Sequence, residues 1–222
     1  MRIKTVTMAA AITLAAGVAS AATIDFTDRS VWNSAASTTS VFGATVSISA
    51  TGGAINFTQD YDRSKTGVCD GFGGALACVS DGLGVTDDEI TTEGSMVQTA
   101  TVSFSSAVFV KGFSFLDLYL ATDGSDLETA KIYFNDDMST MISFAALQTP
   151  SANQPGFVVG LANVAPVTSI TFFAAPSNDN LGNPDYSLAS IEVAPVPLPA
   201  AAWMLLAGLA GMGYVARGRK NA

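Results

Sequence analysis

The sequence predicts an all-β fold, an antiparallel β-sandwich or jelly roll, and three observations lead there. Short segments rich in β-branched and aromatic residues recur between clusters of Gly, Asp, Asn and Pro. Several of them alternate apolar and polar residues with a period of two. No long amphipathic helical pattern interrupts the series. A closed barrel is the alternative. The regular outward apolar face of an outer-membrane barrel is spoiled by Lys111, Gly-rich loops and uneven strand lengths.

In order along the chain, the expected strands begin with TIDFTD (Thr23–Asp28), VFGATVSISA (Val41–Ala50) and AINFTQDY (Ala54–Tyr61). In VQTATVSFS (Val97–Ser105), Ala100, Val102 and Phe104 face one way and Thr101 and Ser103 the other. VFVKGFSFLDLYL (Val108–Leu120) is the most apolar segment and reads as central. AKIYFND, MISFAAL, GFVVGL, VTSITFFAA and YSLASIEVA complete the series. In the last two, Ile170 and Phe172 alternate with Ser169 and Thr171, and Ala189, Ile191 and Val193 with Ser190 and Glu192. The region from Asp62 to Gly94 is the least regular and reads as a long loop.

Both ends differ from this middle. Arg2 and Lys4 precede an Ala-rich apolar stretch from Met8 to Val18, and Ala19-Ser20-Ala21 supplies a small-x-small cleavage site. Residues 1–21 are therefore expected to be a secretory signal peptide. Near the other end, Ala200 to Ala216 is free of charge and would span about 25 Å as a helix, or about 31 Å counted from Val196. That is close to a hydrocarbon core of about 30 Å, so a transmembrane helix is expected within 195–222. Pro197 and Pro199 would fall in its first turn, where proline is tolerated. Arg217, Arg219 and Lys220 favour a cytoplasmic tail and place residues 22–194, the β domain, outside.

Charge divides the same way. Of ten Lys and Arg, two lie in the signal and three in the tail, whereas all 19 acids lie between Asp25 and Glu192. The exported part thus carries about −14 and repels polyanions, which excludes a direct nucleic-acid role. Cys69 and Cys78 are the only cysteines. In an exported chain they are expected to close a Gly-rich loop as a disulfide, contributing about 2–3 kcal/mol by chain entropy.

The chain has no histidine, which removes Ser-His-Asp and Cys-His catalysis and His-ligated zinc. A carboxylate-pair glycosidase stays open in principle, with Asp117, Asp123 and Glu128 as candidates, but the expectation is of no enzyme. Two acidic stretches, DGLGVTDDEI (Asp81–Ile90) and ATDGSDLE (Ala121–Glu128), have the oxygen-rich composition that calcium takes. They suggest calcium at Asp87, Asp88 and Glu89, then at Asp123 and Asp126. The competing reading is that Asp and Gly serve as turn residues on solvated loops. Trp32, Phe72, Tyr119 and Tyr186 would make a sugar-stacking platform if exposed, and core residues if not.

The C-terminal VPLPAAAWMLLAGLAGMGYVARGRK resembles the short sorting signal named for its Val-Pro-Leu-Pro-Ala motif, a variant of the PEP-CTERM class of Gram-negative bacteria. Val196, Pro197, Leu198, Pro199 and Ala200 form the motif, followed by Trp203, the apolar run and the basic end. The match covers only the stretch from Val196 onward. GLGVTDDEI and DYSLASIEV resemble, more loosely, stretches found ahead of such tails. The resemblance implies cleavage near the motif by an exosortase, with inner-membrane anchoring before processing and a cell-surface or matrix destination after it. It also implies an association with exopolysaccharide. A structural or adhesive role is therefore expected, with a calcium-dependent carbohydrate-binding module as the alternative.

Overall fold

In the computed structural model, the residues described are 20–34, 36–57, 69–71, 74–93, 95–120, 127–148, 156–162, 164–176, 184–197, 204–205, 207–212 and 217. Fifteen strands are found among them. The first nine are β1 (Ala22–Asp25), β2 (Thr39–Val41), β3 (Ala44–Thr51), β4 (Ile55–Asn56), β5 (Cys69–Gly71), β6 (Gly74–Leu76), β7 (Gly84–Val85), β8 (Thr92–Glu93) and β9 (Met96–Val97). The longer ones follow: β10 (Thr99–Leu116), β11 (Thr129–Phe134), β12 (Asp137–Ala145), β13 (Val158–Leu161), β14 (Val167–Ala174) and β15 (Ser187–Pro195). Every strand pairing is antiparallel, as expected of an all-β chain.

The organising element is β10. Its first half pairs with β3 on one side (Ala100↔Ala50, Phe104↔Val46) and β14 on the other (Ala100↔Phe172, Ser103↔Ser169). Its second half pairs with β15 (Val108↔Pro195 to Leu116↔Ser187) and β13 (Gly112↔Leu161, Phe115↔Val158). Between them, the register with β14 breaks at Ser103–Val108. One strand therefore belongs to two wings: β2-β3-β10-β14-β11-β12 and β1-β15-β10-β13.

Side chains from both wings share one core. Phe113, from the second half of β10, lies 5.6 Å from Phe172 of β14 and 6.4 Å from Phe134 of β11, centroid to centroid. Phe144 of β12 packs 5.8 Å from Phe113 and 5.4 Å from Phe115. Phe26, Trp32 and Phe57 form a second aromatic group at the β1 side. Ala100, Val102 and Phe104 are all buried, as their alternation predicts. Covered on both faces, β15 departs from its predicted alternation: Ser190 is as buried as Ile191.

Two sequence expectations need correction. Val41–Ala50 is not one strand, because Phe42 (φ 52°) and Gly43 (φ 79°) turn the chain between β2 and β3. That is a two-residue hairpin, with the positive φ angles such turns need. The segments at 97–105 and 108–120 are not two strands either, since β10 runs through Ser105–Ala107 without ending. The irregular Asp62–Gly94 region contains β5 to β8, all two or three residues long, while 61–68 lies outside the described residues.

The expected signal peptide also lies outside the described residues, apart from Ser20 and Ala21. Within the C-terminal run, residues 204–205 and 207–212 are helical and exposed. Among the described residues no helix is long and apolar enough to cross a membrane.

Candidate functional site

The two ends of the folded unit differ in character, because β10 leaves from one end, bends at the other and returns. The bend end carries the β2–β3 turn, the β11–β12 turn and the exit of β15, since Phe104↔Val46, Phe134↔Ile170 and Val108↔Pro195 are in register. The opposite end collects the finish of β10, the start of β11 and the approach to β15. Carboxylates gather there.

The segment 84–93 is laid against residues 184–187 by its backbone. Val85 N–H donates to the Glu89 carbonyl at 2.8 Å and closes a turn around Thr86 (φ 76°). Ile90 N–H donates to the Tyr186 carbonyl at 2.8 Å and Thr92 N–H to the Pro184 carbonyl at 3.0 Å. The Ser187 hydroxyl donates to the Asp88 carbonyl. Leu116 pairs with Ser187, so Asp117, next along the chain with φ 57°, emerges beside the same segment. Glu128 is brought in by Tyr119, whose N–H donates to Glu128 Oε2 at 2.5 Å and whose hydroxyl donates to Asp117 Oδ1 at 3.4 Å.

Asp88, Glu89, Asp117, Glu128 and Asp185 therefore occupy one end of the sheet. Asp117 and Glu128 are buried, and Asp88, Glu89 and Asp185 half-buried. The effect falls on Glu89, whose pKa is pushed up from 4.5 to about 10. Burial is the largest cause, followed by the charges of Asp185, Asp117, Asp88 and Glu128. Removing water disfavours the carboxylate, and each neighbouring negative charge adds to that cost. Glu89 therefore keeps its proton at neutral pH.

The predicted calcium residues are divided by this arrangement. Asp88 and Glu89 belong to the cluster, whereas Asp87 is exposed and its Oδ1 accepts the Glu89 N–H at 3.4 Å, within its own turn. Asp123 and Asp126 lie outside the described residues. The sequence offers Asp117 and Glu128, with Asp123, as carboxylate candidates for a glycosidase, and singles out Asp185 for no role. Its one signal was position, two residues ahead of β15 in NPDYS. Among the described residues no three acids are arranged to hold a metal ion.

No family model, curated protein or solved structure matches this chain. What can be said of function rests on its own residues.

Trp32, Tyr119 and Tyr186 do not form a sugar-stacking platform. Trp32 and Tyr186 are 1% and 0% exposed, and Tyr119 is buried with them. Phe72 lies outside the described residues. Tyr186 stands edge-on to Phe115 at 5.4 Å, and burial holds its phenol well above the usual range. These rings serve the core, and sequence could not separate that role from exposure.

The cysteine loop is tied to β1. Asp25 Oδ2 accepts the Ala77 N–H at 2.7 Å, and Thr27 Oγ1 accepts the Cys78 N–H at 2.8 Å. Cys69 opens β5 opposite Leu76, two residues before Cys78. Among the described residues there is no free cysteine.

At the bend end, Val196 and Pro197 follow directly on β15 and are exposed. Leu198, Pro199 and Ala200, the rest of the sorting motif, lie outside the described residues.

Proposed function

We propose that this chain is an exported, non-enzymatic protein of a Gram-negative cell surface or extracellular matrix. In this reading a signal peptide directs export, and the Val196–Ala200 motif with its apolar run and basic end is a substrate for an exosortase-type enzyme. The run anchors the protein in the inner membrane until processing. The domain ahead of it, a sandwich of jelly-roll type joined through β10, is structural or adhesive and meets exopolysaccharide. A Cys69–Cys78 disulfide belongs to the same proposal and suits an exported chain.

The observation that carries the reading is the three-part C-terminus, motif then apolar run then bases. The exposure of Val196 and Pro197 just past β15 supports it, because a processing enzyme needs an accessible segment beside the folded unit. The testing experiment is expression in a host with and without an exosortase. Shortening of the chain only in its presence is expected, and an unchanged mass in both hosts would reject the sorting role.

The second reading, a calcium-dependent carbohydrate-binding module, is favoured by Glu89 and the four acids around it. Calcium takes about six to eight oxygens, and a cation would replace the Glu89 proton. Adopting it requires the acids to close on the ion. Calorimetric titration with calcium, followed by a glycan array with and without chelator, separates the two readings.

A further inference from the structure

The β2–β3 turn combines two features that folding of the domain does not require. Phe42 occupies the first position of a two-residue hairpin at φ 52°, where Asn, Asp or Gly is the usual choice. A bulky side chain there is conformationally costly. Its ring is nevertheless 43% exposed, outside the core that the neighbouring Val41 and Ala44 enter.

Beside this turn runs a groove of about 350 Å³ lined by Phe42, Ala44, Ser106, Val108, Val196 and Pro197 among others. It lies where the chain leaves the domain. The charge-free run begins at Ala200, three residues beyond Pro197, and three residues reach at most about 11 Å. With that run in a bilayer, the groove and Phe42 stand at the lipid surface.

We propose that Phe42, with Val196 and Pro197, rests in the boundary between headgroups and acyl chains, so that the domain is seated on the membrane rather than hanging from a free linker. The proposal rests on reading Ala200–Ala216 as membrane-spanning. The contact is apolar rather than electrostatic. The other turn at this end, β11–β12, exposes Asp136 and Asp137, which anionic lipid repels. The seating also directs the Glu89 cluster away from the membrane. The second half of β10 alone puts about 30 Å between the two ends.

The test uses the full chain, as wild type and as Phe42→Trp, in phosphatidylcholine vesicles whose acyl chains are brominated near the headgroup or near the centre. Trp203 lies inside the apolar run and is quenched in both proteins if the run spans the bilayer. The expected result is additional quenching in Phe42→Trp by the shallow bromines, unchanged or weaker when phosphatidylglycerol is added. Quenching of Trp203 alone would overturn the seating while leaving the span intact. An unquenched Trp203 would overturn the span and the seating with it. Quenching of the introduced indole that strengthens several-fold with phosphatidylglycerol would overturn the apolar contact.

Discussion

Phe113 meets Phe172 edge to face across the core, with ring centroids 5.6 Å apart and planes at 82°. The two residues come from the second half of β10 and from β14, a strand that pairs with the first half. Their contact exists because β10 bends, so it reports the joining of the two wings more directly than any hydrogen bond within either.

Replacing Phe113 with Ala removes a fully buried ring that also touches Phe115, Phe134 and Phe144. The expected loss is about 3–5 kcal/mol. Denaturant unfolding followed by circular dichroism measures it. A loss below about 1 kcal/mol would mean the wings do not share this core.

The pH dependence follows from Glu89. Unfolded, the group titrates near 4.5, and folded, near about 10, so the folded protein holds an extra proton between those values. The stability that Glu89 contributes is fully present below the lower value and is lost as pH rises through the window. Thermal melts from pH 5 to pH 9 should show the decline, and Glu89→Gln should reduce it. A slope unchanged in Glu89→Gln would place the cause elsewhere.

Calcium provides a separate check on the same cluster. If the five acids close on the ion, millimolar calcium raises the melting temperature at pH 7 and releases protons. Asp117→Asn abolishes both effects, and Asp87→Asn does not. An equal loss in both variants would return the site to the 87–89 stretch itself.

Gly82 sits at φ 114°, and a Cβ there would run into the Leu188 backbone carbonyl. Gly82→Ala is expected to cost more than about 1 kcal/mol in chemical denaturation. A neutral result would show that this segment does not lie against β15 in solution.

Asp25 accepts the Thr27 N–H at 2.9 Å and hydroxyl at 2.6 Å as well as the Ala77 N–H at 2.7 Å. Asp25→Ala is expected to lower stability by about 1–3 kcal/mol. It should also speed proteolysis within 69–80 by releasing the cysteine loop from β1, with cleavage sites read by mass spectrometry. Unchanged cleavage would show that the loop is held by other means.

The all-β class was legible because burial imposes a period of two, and Ala100, Val102 and Phe104 display it. The Phe42-Gly43 turn was not, because Phe is a strand-former and hides the positive φ beside Gly43. Nor was the continuity of β10, since Ser105-Ser106-Ala107 reads as punctuation whether a strand bends or stops. At the acidic end, local spacing found Asp88 and Glu89. Asp117, Glu128 and Asp185 join them only through the Leu116↔Ser187 register and the Tyr119–Glu128 hydrogen bond. Such long-range placement leaves no mark in a short stretch of sequence. The buried aromatics show the same limit, because composition alone does not separate a stacking face from a core.

The most direct test of the central claim is the intact mass of the mature protein recovered from its native host. Export and sorting predict a chain that begins at Ala22 and ends near Pro199. A chain carrying both Met1 and Ala222 would contradict them.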